Sequence, residues 1–190
     1  MNMRMNCVLA IVLSVLGLGG CASPERAPVV SYAAAAGANG YVWSPSMERK
    51  RQTLEAAARG SGIAVLRTQD DQLRINVPSD FSFDSDSAVI KPGMRPVLDA
   101  LAVDLEAAEL SRMLILVIGH TDDRGSDAVN DPLSLARARS VASYLESKGI
   151  AALRIAVEGH GEHEPMIGND QAYGRALNRR VDVFLREPGA

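Results

Sequence analysis

An unbroken apolar run, Met-Leu-Ile-Leu-Val-Ile at 113–118, leads directly into Gly119, His120, Thr121 and Asp122. Six residues suit a strand covered on both faces, which requires helices packed against the sheet. Val97, Leu98, Leu101, Leu105 and Ala108 recur at helical spacing and predict a helix over 93–110. Leu135, Ala138, Ala142 and Leu145 share one face of a second helix, with Asp131 as its cap and Pro132 at its first position. Gly149 stops it. A charged, Ala-rich helix is expected over 47–59 and another over 171–178. Strands are expected at 63–68 and 73–77 around an Asp70-Asp71 turn, at 78–86 where Phe81 and Phe83 alternate, and at 155–158 and 180–185. Residues 159–170 read as a polar loop. This order of elements predicts an α/β domain, a mixed sheet with helices in which several strands are parallel through crossovers.

The chemistry sits where the central strand ends. Asp122 lies in the loop after it and Arg137, 15 residues on, lies early in the following helix. An anion and a cation held on a rigid strand–loop–helix can grip a ligand that carries both an amine and a carboxylate. Each also has an ordinary structural role: Asp122 can form its own turn, and Arg137, off the apolar stripe, can stay solvated. Val117-Ile118-Gly119-His120 is echoed by Val157-Glu158-Gly159-His160, both at the carboxyl end of a strand, where open α/β sheets place ligands.

If the two strand ends are neighbours, His120, Asp122, His160 and His163 could converge as a zinc site, three ligands and a water. Against this, no HExxH pattern occurs, and His160-Gly161-Glu162-His163 lies on a glycine-broken loop that orients ligands poorly. Ser126 and Ser134 have no G-x-S-x-G setting. No enzyme, metal or cofactor is therefore expected. A net charge of −3 and 4% aromatic residues provide no basic stripe and argue against nucleic acid.

The N-terminus carries an address. Arg4 precedes an apolar run at 7–18, too short for the roughly 20 residues that span a bilayer but suited to a signal peptide. Leu18-Gly19-Gly20-Cys21 resembles the bacterial lipobox, which implies a signal over 1–20 and lipidation at Cys21. Ala22 in place of Asp implies sorting to the outer membrane, with the chain facing the periplasm. Cys7 would leave with the signal, so no disulfide is expected. Residues 21–45, rich in Ala, Ser, Pro and Gly, read as a flexible tether with a reach of ~25–30 Å. Residues 46–62 form a helical lead-in that could be a partner site, a coiled-coil fragment or a lid on the sheet. Residues 63–188 form the main domain.

An ordered set of motifs runs from Ile63 to Arg186: Phe83-Asp84-Ser85, Gly119-His120-Thr121-Asp122, Gly125, Asn130, Leu133-Ser134, Arg137-Ala138, Gly159-His160-Gly161, Glu164-Pro165, Gly174-Arg175-Ala176 and Asn178-Arg179-Arg180-Val181. The set resembles the OmpA-like C-terminal, peptidoglycan-associated domain family, whose fold is a βαβαβ sandwich. The resemblance implies a non-catalytic module that holds the diaminopimelate of the peptidoglycan stem. Asp122 would meet the ammonium and Arg137 the carboxylate, with Asn130, Leu133 and Arg179 in support. The helix start near Asp131 would add donors for an anionic stem. With the lipobox and tether, the chain looks like a small outer-membrane lipoprotein linked to the cell wall. An envelope module acting mainly through protein contacts is the alternative.

Overall fold

The computed structural model describes residues 42–105, 107 and 110–187. The expected signal peptide, Cys21 and most of the expected tether lie outside the described residues. The chain forms α1 (Pro45–Ala57), β1 (Ala64–Arg67), β2 (Leu73–Pro78), a single helical turn α2 (Ser79–Ser82), α3 (Arg95–Ala102), β3 (Leu114–His120), α4 (Asp127–Ser147), β4 (Ile155–Gly159), α5 (Ala172–Asn178) and β5 (Arg180–Arg186). The strands make one mixed sheet in the order β1-β2-β5-β3-β4. β3 and β4 are parallel, joined through α4, while β5 runs antiparallel between β2 and β3. The expected α/β architecture is the one observed. No helix among the described residues is long and apolar enough to cross a membrane.

Register sorts the side chains by face. Leu73, Leu185 and Ile115 align across β2, β5 and β3, as do Ile75, Val183 and Val117. These six are buried on the face that meets α1, α3 and α4 through Met47, Leu54, Leu98, Leu101, Val141 and Leu145. Burying a side chain of this size contributes about 1.5–3 kcal/mol. The opposite face departs from the expectation of a strand covered on both sides, since Leu114 is 57% exposed. That face carries polar residues instead. Asp182 of β5 is buried and accepts from Arg74 Nε (2.9 Å), Arg74 Nη2 (2.8 Å), Asn76 Nδ2 (2.8 Å) and Arg180 Nε (2.9 Å). Burial raises the pKa of this carboxyl, but the hydrogen bonds and charges of Arg74 and Arg180 outweigh it and hold the group below its usual value.

Four elements differ from their sequence expectation. The strand expected at 78–86 is instead the turn α2, because Ser79 O accepts from Phe83 N (2.7 Å) and Ser82 Oγ donates to Pro78 O (2.9 Å). The helix expected over 93–110 ends at Ala102, where Val103 turns extended and Asp104 takes φ +64°. Buried cations replace the missing helical hydrogen bonds. Lys50 of α1 donates to the carbonyls of Ala100, Leu101 and Val103, while Arg154 donates to those of Leu105, Leu110 and Met113.

The lead-in helix, for which the sequence left three roles open, packs into the core through Met47 and Leu54. Ser44 Oγ caps it by accepting from Met47 N (3.1 Å), and Trp43 is buried with Nε1 donating to Asp71 O (2.6 Å). Ordered packing thus starts inside the segment whose composition read as tether. Finally, α4 begins at Asp127 with Ser126 as its N-cap, so Pro132 lies inside the helix and costs it one backbone bond. The donors expected at Asp131 are therefore within a continuing helix, not at a free end.

Helix α4 lies directly on two strands. A Cβ at Gly119 would sit 2.0 Å from the Ser134 carbonyl oxygen, and one at Gly159 would sit 2.5 Å from the Leu135 nitrogen. Both obstacles are backbone, so neither can swing aside. Gly119→Ala should lower unfolding stability by about 3 kcal/mol, at the upper end for overpacking, read as the shift in a urea melt; an unchanged midpoint would show that the helix is not seated this tightly.

Candidate functional site

At the carboxyl end of β3 the chain turns through Thr121-Asp122-Asp123-Arg124-Gly125 into α4. Asp122 closes the turn on itself, its Oδ1 accepting from Arg124 N (3.1 Å). Its backbone carbonyl accepts from Asn130 Nδ2 (3.3 Å), one turn into α4, and the same amide donates to Glu162 Oε2 (2.6 Å) on the loop after β4. Asp122 is thereby buried and fixed in place. Beside it Thr121 is buried with its Oγ1 unpartnered, a free hydroxyl at the edge of the site.

Asp122 opens into a cleft of about 500 Å³ that also takes in Asn130, Leu133, Arg137 and Arg179. The five residues singled out in the sequence therefore line a single cleft. Arg137 differs from its expected solvated state, being only 5% exposed. The segment after α2 folds over it: its Nε donates to Ser87 O (2.9 Å), its Nη2 to Asp84 O (3.4 Å), and its guanidinium lies 5.4 Å from the Phe83 ring centroid. Among the described residues no carboxylate pairs with it. Burial lowers its proton affinity, while the charges of Asp80 and Asp86 act in the opposite direction. A desolvated cation held by neutral carbonyls and an aromatic face is electrostatically incomplete, and an anion from outside would complete it.

Arg179 does the opposite job. Its Nη1 donates to Asp122 Oδ2 (2.7 Å), while Nε and Nη2 grip Asp80 Oδ1 (3.0 Å) and Oδ2 (2.6 Å). This fork raises the proton affinity of Arg179, chiefly through Asp80, and lowers the pKa of Asp80 below its ordinary value. Asp80 had no signal in the sequence, because it lay in a stretch read as strand and its partner is far along the chain. The cleft thus pairs one neutralised carboxylate with one unneutralised guanidinium and can orient a ligand bearing separated positive and negative groups.

The four residues weighed as a zinc site are divided by the structure. His120 and His160 do meet, their ring centroids 5.5 Å apart and edge to face. Asp122 belongs to the cleft, and His163 faces Asp127 and Asp131 at 3.6 and 3.5 Å. Ser134 is buried; its Oγ donates to Asp131 O (2.8 Å) and accepts from Gly161 N (3.0 Å), a structural tie between α4 and the loop after β4.

A profile described as the OmpA family matches residues 82–179. The chain is 38% identical over 139 residues to the probable lipoprotein YiaD of Escherichia coli, covering 73% of this chain and 62% of that protein. It is 38% identical over 104 residues to the peptidoglycan-binding protein ArfA of Mycobacterium tuberculosis, covering 55% of this chain and 31% of that protein. It therefore spans less than two thirds of either relative. Among solved structures, the cell wall anchor of the T6SS from Pseudomonas aeruginosa superimposes with TM-score 0.64 at 30% identity, covering 74% of this chain and 98% of that one.

The Asp80–Arg179–Asp122 clamp has a pH signature. Because its folded pKa is depressed, Asp80 contributes stability that is present above its ordinary value of 3.8 and lost as the pH falls through the lower folded value. A carboxyl-carbon NMR titration should find Asp80 below 3.8 in the parent and near 3.8 in Arg179→Ala. Identical titrations in both proteins would mean that the clamp does not hold in solution.

Proposed function

Because this chain belongs to the OmpA family, we propose that it is a non-catalytic envelope protein that binds peptidoglycan through the diaminopimelate of the peptide stem. The observation that carries the proposal is Arg137, buried without a carboxylate partner, in the same cleft as the buried carboxylate of Asp122. The free carboxylate of the stem pairs with Arg137, where a planar guanidinium can fix orientation as well as add energy. The stem ammonium meets Asp122 at the oxygen that Arg179 otherwise holds. Asn130 keeps the Asp122 backbone in place, Leu133 supplies an apolar wall, and Arg179 retains its grip on Asp80 while sharing Asp122. The relatives described as peptidoglycan-binding and as a cell wall anchor support this reading.

We further propose that Cys21 carries the lipid, that the Ala-, Ser-, Pro- and Gly-rich stretch after it is the tether, and that the cleft faces the periplasm from the outer membrane. The run at 7–18, the Leu-Gly-Gly-Cys sequence and the likeness to a probable lipoprotein support this. A tethered module meets many stems at high effective concentration, so modest individual contacts give lasting attachment.

Sedimentation of the purified protein with isolated peptidoglycan tests the site. The parent should pellet, and Asp122→Ala and Arg137→Ala should each weaken binding by about 2 kcal/mol or more, roughly 30-fold. Circular dichroism confirms that both variants are folded. If parent and variants stay in the supernatant alike, the wall ligand is wrong and a protein-contact role takes its place.

A further inference from the structure

The open face of the sheet holds a cluster that the cleft does not use. Gly119 and Gly159 are register partners in the parallel pair β3–β4, so the residues after them, His120 and His160, leave two adjacent strands side by side. Glu164, four residues further along the loop, completes the group. One ring nitrogen from each histidine and one Glu164 oxygen all lie within 4.8 Å of one another.

The His160 ring stands between two carboxylates. His160 Nε2 is 2.7 Å from Glu158 Oε2, which orients the ring, and its Nδ1 is 3.0 Å from Glu164 Oε2. A nitrogen lone pair and a carboxylate at that distance require a shared cation between them, a proton or a metal. His120 is held less closely: its Nε2 is 3.6 Å from Asp182 Oδ2, and its Nδ1 is buried with no hydrogen-bond partner among the described residues. Glu158 behind His160 matches the outer-shell carboxylate that fixes a metal-binding histidine.

We propose that His120, His160 and Glu164 form a zinc-class divalent-cation site, with the fourth position left to water. Two imidazoles and a carboxylate are a zinc donor set, and bonds of roughly 2.0–2.2 Å place tetrahedral ligands roughly 3.3 Å apart. The His160–Glu164 pair already stands near that spacing. The Glu164 side chain, 60% exposed, has room to close and gives the ion a path in from solvent. The site is separate from the cleft, since none of its three ligands lines it. A bound ion would pin the loop after β4 to the end of β3.

Zinc titration of the metal-stripped protein by calorimetry, with cobalt(II) absorption as a check on tetrahedral geometry, tests the site. One ion per chain is expected, with Kd on the order of micromolar or tighter and a higher thermal midpoint in zinc. Glu164→Gln and His160→Gln should each weaken binding at least ~10-fold, and His163→Ala should leave it unchanged. Peptidoglycan pelleting in chelator should be unaffected by Glu164→Gln, which separates this site from the wall-binding reading. Absence of saturable zinc binding overturns the proposal. So does binding that survives Glu164→Gln but is lost in His163→Ala, which would move the ion to the exposed Asp127, Asp131 and His163 group.

Discussion

Helix α4 rests on the sheet with no side chain between its backbone and the strands at Gly119 and Gly159. Most of what is functional in this domain follows from that contact. Seating the helix on a glycine pair fixes its height and its rotation together, because any Cβ there would meet peptide atoms of Ser134 and Leu135. With its rotation fixed, Asn130 reaches back to the Asp122 carbonyl, Ser134 reaches the nitrogen of Gly161, and Arg137 is turned under Phe83. The same two glycines set His120 and His160 next to each other on the far side of the sheet.

The domain buries several charges and treats them in different ways. Asp182 receives two guanidinium groups and an amide, a nearly complete shell for a buried carboxylate. Lys50 and Arg154 gather main-chain carbonyls where helical bonding stops, allowing the segment after α3 to leave the helix while Leu105 and Leu110 stay buried. Asp182 is matched by opposite charge, and Lys50 and Arg154 are each satisfied by three carbonyl acceptors. Arg137 is the exception. It is as buried as the others, but it donates to only two carbonyls and lines the cleft, and a cation placed so belongs to a binding site more readily than to a scaffold.

Much of the secondary structure was legible because local periodicity reports which face a residue buries. The hairpin around Asp70-Asp71, the strands β3, β4 and β5, and the helices α1, α4 and α5 all carry that signal. The signal failed where two different structures share a pattern. Phe81 and Phe83 alternate like a strand, yet Phe81 lies within a helical turn and Phe83 is the residue that ends it, and only Phe83 is buried. Leu105 continues the spacing of α3, yet it is a core residue past the helix end whose carbonyl, like that of Leu110, is held by the buried Arg154. Trp43 lay in tether-like composition because its one strong anchor, Asp71, is 28 residues away.

For the cleft, residue identity came from the chain and state came from the fold. Asp122, Asn130, Leu133 and Arg137 were identifiable because their spacing along one strand, loop and helix is local, and Arg179 from its place in the ordered set of motifs. Their charge relationships were not. That Arg179 neutralises Asp122 and is itself held by Asp80 depends on α2 meeting the end of α5, elements separated by 99 positions. That Arg137 is buried depends on Ser87 and Asp84, some 50 residues upstream. The histidine echo pointed to two strand ends, but Glu164 in place of Asp122 and His163 as their companion is set by how the loop leaves Gly161. Sequence carries local spacing and side-chain chemistry; burial, pairing and free valence arise only when distant segments are brought into contact, because each depends on what stands on the other side.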